Sequence, residues 1–409
     1  MKIKTIESLV GAEHLGSHIA LPDVPVAQPA NADEARELLA MASRDKLGLA
    51  ILGNGNKLGW SCMVRQPDFA ISTKRLSKIV EFEPGDGTIT AQAGVSMADL
   101  ERTVGEAGLA LTPDVPRTHA ATLGGTIATS AGGADRLSLG PGYLHVLGTR
   151  SLQLSGELTR SGGNLVKNVS GYDLHRLYCG SFGCLTMVLE ASLRLAPKPE
   201  ATIVMTRSFD DLKRALQVAN DVLATRSAPR AVTIENQSVP ECFSLHIVLS
   251  GRLAHLEYEM SLISPAIGEF EVAHGAEAEK LAKHLRDLEP DSRTSDVLHI
   301  GAMPSKLRAT IGEVFSAIGA HTDTQLMIQP GIATMDLGTT STSRETLFEV
   351  RRALQPLGAS AVLRSKAPQT SDFIAEVHDS LRAQLMERLR HTYDPHKLLC
   401  TRPPLGGLQ

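Results

Sequence analysis

A chain of 409 residues is about two to three times a typical domain, so at least two hydrophobic cores are expected. Apolar residues make up 42% and charged ones 21%, and a net charge of −4 provides no broad positive field for nucleic acid. Aromatic residues are only 4%, with Trp60 the single tryptophan, which argues against a base-stacking platform. Five cysteines (Cys62, Cys179, Cys184, Cys242 and Cys400) are scattered without a C-x-x-C pair. They read as reduced thiols and offer no iron–sulfur or zinc frame, so a metal cluster would belong to another chain. Met1 to Val10 lacks the apolar run of a signal peptide, and no later stretch has the length of a membrane span. The expected location is cytoplasmic, in contact with a membrane only through partners.

In chain order, Leu49 to Leu52 reads as a buried strand leading into Gly53-Asn54-Gly55-Asn56-Lys57-Leu58-Gly59. Thr88 to Ala93 is a second strand. Ser96 follows as an N-cap, with Asp99 in capping-box position and Gly108 as a stop, which predicts a short helix. Val146 to Leu154 and Leu158 to Arg160 flank Ser155-Gly156-Glu157 and predict a hairpin. Leu185 to Leu195 alternates as a strand should, and Pro197 and Pro199 mark a domain boundary. This first half is α+β in character.

Beyond Pro199 strand and helix patterns alternate: Thr202 to Met205, Asp210 to Leu223, Ala231 to Glu235, Phe243 to Leu249, Leu253 to Leu262 and Ala276 to Leu288. The alternation continues through Val297 to Ile300, Ser305 to Ile318, Gln325 to Asp336 and Arg344 to Leu354, and predicts a smaller two-layer α/β cap. A last helix, Asp372 to His391, ends before Tyr393-Asp394-Pro395. The predicted domains are therefore 1–198, 199–370 and a C-terminal helix and tail, 371–409, that returns to the first.

Three segments carry candidate chemistry. In Gly53-Asn54-Gly55-Asn56 the glycines remove Cβ atoms, so that backbone N–H groups can converge on an anion such as a pyrophosphate. A Rossmann fingerprint fits poorly: the third glycine is one position late, no acidic residue follows about twenty positions on, and no amphipathic helix opens. Lys74 and Arg75 occupy that later region. Thr122-Leu123-Gly124-Gly125 precedes a second Gly-Gly pair at Gly132-Gly133, and this gives either a flat surface for a ring system or close helix–strand packing. The third segment is Val166-Lys167-Asn168-Val169-Ser170-Gly171-Tyr172-Asp173-Leu174, followed by Gly180-Ser181-Phe182-Gly183.

In order and spacing these segments resemble the FAD-binding domain of the vanillyl-alcohol oxidase and p-cresol methylhydroxylase (PCMH) type, over roughly Pro25 to Lys198. Val166 to Leu174 resembles, more narrowly, the Val-Lys-Asn-Val-Ala-Gly-Tyr-Asp-Leu run of the FAD-binding subunit of bacterial glycolate oxidase, with Ser170 in place of alanine. Asp394-Pro395-His396-Lys397-Leu398-Leu399 is similar to the family's closing motif, from which Cys400-Thr401-Arg402-Pro403 departs. The resemblance implies FAD-binding roles for Gly53, Asn54, Gly55, Asn56, Lys57 and Leu58, for Thr122, Leu123, Gly124 and Gly125, and for Asn168, Gly171, Tyr172, Asp173 and Gly183.

Covalent flavin attachment needs a histidine, cysteine or tyrosine beside the ring. Cys62 and His119 are the nearest candidates, and both read better as ordinary residues, so the expected FAD is non-covalent. The resemblance also implies that self-sufficient hydroxy-acid oxidation requires a histidine pair in a Gly-Asp-Gly-Asn setting, and this is absent. His246 and His255, His274 and His284, and His391 and His396 read as surface or capping residues. His14 and His18 lack the glutamate placement of a zinc site. Arg364 with Lys366 could clamp a carboxylate, though a solvated basic loop explains them as well. No metal ligands and no catalytic residue are assigned. The expected function is that of an FAD-binding subunit in a glycolate oxidase-like 2-hydroxy-acid oxidoreductase complex with a sister flavin subunit and an iron–sulfur subunit. The alternatives are a self-sufficient dehydrogenase and a non-catalytic scaffold.

Overall fold

The computed structural model describes residues 2–112, 115, 120–165, 171–236, 242–285, 296–318, 325–339, 343–365, 369–370 and 381–404. The chain divides into two compact units. Unit 1 comprises Met1–Ala131, Pro141–Lys198 and Lys366–Leu405; unit 2 comprises Gly132–Gly140 and Pro199–Ser365 together with the last four residues.

Unit 1 begins with elements that the sequence patterns did not signal: helix α1 (Lys2–Val10), strands β1 (Leu15–His18) and β2 (Leu21–Ala27), and helix α2 (Ala32–Asp45). Asn31 caps α2 by accepting from the N–H groups of Asp33 and Glu34. Its apolar stripe, Ala35, Leu38, Leu39 and Ala42, is buried at helical spacing. Strand β3 (Leu49–Leu52) lies parallel to β4 (Phe69–Ser72), and the sheet order is β1-β2-β4-β3. Both strands read as apolar runs because both of their faces are covered.

The second sheet of unit 1 contains β5 (Ile79–Glu83), β6 (Thr88–Gln92), β7 (Val146–Leu152), β8 (Leu158–Gly162) and β9 (Met187–Pro197), in the order β8-β7-β9-β6-β5, with Leu109–Leu111 paired to β9. The hairpin between β7 and β8 turns at Gly156, whose φ is 81°. Helix α3 (Met97–Glu106) starts as its capping box predicts: Ser96 Oγ accepts from Asp99 N at 3.0 Å and donates to the Asp99 carboxylate at 2.6 Å. Strand β9 runs on to Pro197 rather than stopping at Leu195, pairing there with Leu109.

Unit 2 is built on one eight-stranded sheet: β10 (Ala201–Phe209), β11 (Ala231–Asn236), β12 (Phe243–Gly251), β13 (Glu271–His274), β14 (Asp296–Gly301), β15 (Gln325–Gln329), β16 (Thr334–Thr339) and β17 (Ser360–Ser365). Its order is β13-β10-β12-β11-β15-β16-β14-β17, with every pairing antiparallel. The run from Gln325 to Asp336 is two strands, because Pro330–Ile332 turns the chain and Ala333 takes φ 52°. Helices α5 (Leu212–Leu223) and α6 (Leu253–Ile267) pack together, as do α8 (Leu307–Ile318) and α9 (Arg344–Leu354). Between these pairs in sequence, α7 (Gly275–His284) places Ala278 against Val204, Ala231 and Val248.

The chain re-enters unit 1 with helix α10 (Leu381–Tyr393). Asp394 then accepts the N–H groups of Leu398 and Leu399, each at 2.8 Å, which bends the tail alongside β3. There Leu49 N donates to Leu398 O and Cys400 N to Leu49 O, both at 2.9 Å. Cys62–Met63, Gln369–Thr370 and Thr401–Arg402 form a small three-stranded sheet. Among the described residues no helix is long and apolar enough to cross a membrane.

Candidate cofactor site

Unit 1 contains a groove lined by the loop Gly53–Leu58, by Ser61 and Thr73, by Ala121, Thr122, Gly124, Gly125, Ala128 and Thr129, and by Ser181–Gly183 with Thr186 and Val188. Where the loop leaves β3, side chains hold its first two carbonyls. Ser72 Oγ donates to Gly53 O at 2.9 Å, and His18 Nε2 lies 2.9 Å from Asn54 O. In a trans peptide the N–H points opposite the carbonyl, so these two contacts direct the N–H groups of Asn54 and Gly55 away from the residues that hold the carbonyls. The N–H groups of Asn54, Gly55 and Asn56 donate to no protein acceptor among the described residues. Three consecutive unclaimed donors in a glycine loop form an anion-binding concavity suited to a diphosphate.

The Thr122 segment works by shape instead. Helix α4 (Leu123–Thr129) is capped by Thr122, whose Oγ1 accepts from Gly125 N at 3.2 Å. Leu123 N donates to Val95 O at 2.9 Å and Gly124 N to Ala93 O at 2.7 Å. Its first N–H groups are thus engaged within the protein. Gly124 is there for closeness: a Cβ would stand 2.8 Å from Ala93 Cβ. The groove wall along α4 is made of small residues, Gly124, Gly125 and Ala128. A Cβ at Gly53 would overlap Thr122 Oγ1, so the loop meets this wall without a gap.

Polar atoms in the groove support the fit to FAD. Thr73 is 4% exposed, and its Oγ1 is buried without a hydrogen-bond partner. By contrast, the hydroxyls of Ser61, Thr129 and Thr186 donate to backbone carbonyls. A buried hydroxyl without a partner, on a residue that lines the groove, leaves hydrogen-bonding capacity unused in the apoprotein. Lys57, which also lines the groove, is 6% exposed with Nζ 5.6 Å from the Trp60 ring centroid. Thr73 was not foreseen from sequence, and the only signal for it was its place directly after β4.

Of the residues implicated by sequence, Gly53 to Leu58, Thr122, Gly124, Gly125 and Gly183 line this groove. Leu123 does not: it is 1% exposed and packs in the core with Met97, Val146 and Leu193. Gly171, Tyr172 and Asp173 also lie off the groove. Tyr172 is 89% exposed, Asp173 pairs with Arg176 at 3.3 Å, and the turn is fastened by Ser161 Oγ donating to Tyr172 O. Asn168, the rest of the Val166 to Ser170 run, His119 and Lys366 fall outside the described residues. Cys62 is 2% exposed in the small sheet and does not line the groove. Burial pushes Cys179 up to about 12 and Cys184 up to about 11, so neither is a ready nucleophile at neutral pH.

Unit 2 has a polar layer that sequence reading did not anticipate. His246 is buried rather than superficial, with Nε2 3.2 Å from Glu235, and His284 Nε2 reaches the other Glu235 oxygen at 3.0 Å. Burial works to raise the Glu235 pKa, but the hydrogen bonds and charges of the two imidazoles prevail and hold it at about 2. Three strands along, His299 Nδ1 lies 2.5 Å from Asp336 Oδ1, and Arg364 stands 3.7 Å from the other oxygen. Burial again opposes ionisation, and His299 and Arg364 overcome it, keeping the Asp336 carboxyl below its ordinary range. Arg364 is 7% exposed on β17, so it is an interior cation and not part of a solvated loop. The strand register puts Glu235, Met327, Asp336 and His299 directly opposite one another in turn, on one face of the sheet. Among the described residues, no group of three or more His, Cys, Asp or Glu is placed to hold a metal.

Residues 25–173 match the FAD binding domain family model. The chain is 31% identical over 218 residues to glycolate oxidase subunit GlcD of Bacillus subtilis, covering 53% of this chain and 46% of that protein. It is 34% identical over 174 residues to glycolate oxidase subunit GlcE of Escherichia coli, covering 42% and 49%. These matches span about half the length of each relative. A 25% identical match to an FAD-linked oxidoreductase of Mycobacterium tuberculosis covers 91% of this chain and 89% of that one. The fold is that of an alkyldihydroxyacetonephosphate synthase, with a TM-score of 0.70 at 14% identity over 98% of this chain and 84% of the other. The open loop donors, the glycine wall and the family match agree: this chain carries a PCMH-type FAD-binding domain, and FAD is its cofactor.

Proposed function

We propose that this chain is the FAD-carrying component of an oxidoreductase for small 2-hydroxy acids, holding its flavin non-covalently and exchanging electrons with a sister flavin subunit and an iron–sulfur subunit. The observation that carries the reading is the groove itself: free loop N–H donors at one end, a wall of small residues along α4, and no cysteine among the described residues that line it. Matches to two glycolate oxidase subunits and to D-lactate dehydrogenase of Archaeoglobus fulgidus favour the 2-hydroxy acid class. When bound, FAD supplies the two-electron acceptor for such an oxidation. The chain's own part is to bind the diphosphate, to hold the ring system against α4 and to keep water from the groove.

The test begins with the absorption spectrum of the purified chain before and after acid precipitation. Yellow colour released into the supernatant is expected. A colourless protein that gains no thermal stability with added FAD would favour the scaffold alternative. Anaerobic glycolate or D-lactate should leave the isolated chain's flavin unbleached and bleach the assembled complex.

A second reading, self-sufficient oxidation on this chain, is favoured by one observation, the His299–Asp336 pair with Arg364. A carboxylate on Nδ1 fixes the imidazole tautomer and raises its basicity, and a guanidinium is suited to a carboxylate substrate. Bleaching of the isolated chain by substrate, lost in His299→Gln, would select this reading.

A further inference from the structure

His18 lies ahead of the matched family segment 25–173, on the strand that precedes β2. Its ring is held at both nitrogens. The Ala20 backbone N–H, which can only donate, reaches Nδ1 at 3.1 Å. Nδ1 is therefore the acceptor, the proton of the neutral ring is on Nε2, and Nε2–H donates to the Asn54 carbonyl at 2.9 Å. The ring also occupies the space where Gly55 would carry a side chain, since a Cβ there would overlap its Cε1 and Nε2. Gly55 has φ 71°, which a glycine adopts freely.

From this geometry, and resting on the FAD reading of the groove, we infer that His18 is a positioning residue for the cofactor's diphosphate. By gripping the Asn54 carbonyl it fixes the peptide plane between Asn54 and Gly55, and so fixes the Gly55 N–H on the opposite side of that plane. Ser72 does the same for the preceding plane through the Gly53 carbonyl. Two side chains outside the groove thus hold two consecutive donors ready before the ligand arrives. An unbraced glycine loop would have to order on binding, at a cost in affinity.

The experiment compares FAD affinity and apoprotein stability in the full chain and in His18→Ala, Gly55→Ala and the double variant. FAD titration is followed by Trp60 fluorescence, and stability by denaturant unfolding without FAD. His18→Ala is expected to weaken FAD binding about three- to tenfold, the worth of one neutral hydrogen bond plus loop ordering. The unfolding midpoint of the apoprotein should be unchanged, because the grip concerns a surface loop. Gly55→Ala should cost less affinity in the His18→Ala background than alone, since its collision partner has gone. Affinities within about twofold, strictly additive penalties, or an apoprotein destabilised in step with the loss of affinity would each overturn the inference alone. A full chain that binds no FAD would overturn the cofactor reading and this inference with it.

Discussion

Gly53 and Thr122 meet so closely that a Cβ on the first would overlap the hydroxyl of the second, and that hydroxyl also caps Gly125 N. The Gly53 loop and the start of α4 therefore meet at this contact. In Gly53→Ala either the hydroxyl leaves its cap, a loss of about 1 kcal/mol to the helix, or the loop backs away from the wall. FAD affinity should fall roughly tenfold or more, measured by equilibrium dialysis. Gly53→Ala/Thr122→Ala should recover part of the loss, and stoichiometric tight binding by the single variant would refute the account.

Thr73→Val should act with opposite signs on two quantities. Removing a buried hydroxyl that lacks a partner stabilises the apoprotein by about 1 kcal/mol, while FAD binding weakens several-fold if the cofactor supplies the missing acceptor. Calorimetry of the apoprotein and a flavin titration measure the two effects. A variant that is less stable without FAD would show the hydroxyl to be satisfied already.

Glu235 gives the fold an acid limb. Its pKa is depressed in the folded state to about 2 from an ordinary 4.5, so its contribution is fully present above about pH 4.5 and fades as the pH falls toward 2. Urea midpoints between those pH values should drop more steeply for the natural chain than for Glu235→Gln. Parallel curves would mean that the carboxylate is not preferentially ionised in the fold.

Arg364→Met leaves Asp336 buried with His299 and the smaller influence of Arg136 as its remaining described cations. Stripping one member from a buried ion cluster costs about 3–5 kcal/mol, so unit 2 should melt well below its natural temperature. A loss under about 1 kcal/mol would place Arg364 among surface ion pairs.

Of the five thiols only Cys242 is exposed; Cys62, Cys184 and Cys400 are buried and Cys179 is partly so. Ellman's reagent should titrate one thiol quickly in the native chain and the other four only on unfolding. A second fast thiol would contradict the burial.

What the sequence made legible was local. Ser96 with Asp99, the Gly156 turn and the strand into Gly53 each announce themselves within a few residues, because caps and positive-φ turns are short-range chemistry. Gly53 to Leu58 could be read as a glycine loop for the same reason, and the structure places it along a groove. The His18 brace and the Thr401 hydroxyl that donates to Phe182 O at 2.8 Å are contacts between residues far apart in sequence, invisible to spacing. Tyr172, for which the resemblance implied an FAD-binding role, is 89% exposed, and Ser161 fastens its backbone, a contact that the string of residues does not show. The layer of Glu235, His246, Asp336 and His299 escaped notice because its members come from separate strands and meet only through sheet register.

The tail beside β3 bears on how the protein matures in the cell. Leu398 to Cys400 complete the edge of the strand that launches the phosphate loop, and Thr401 steadies Phe182 in the groove wall. These residues emerge from the ribosome only after every strand of unit 2 has been made. A chain interrupted before them would leave β3 without the segment that hydrogen-bonds along its edge.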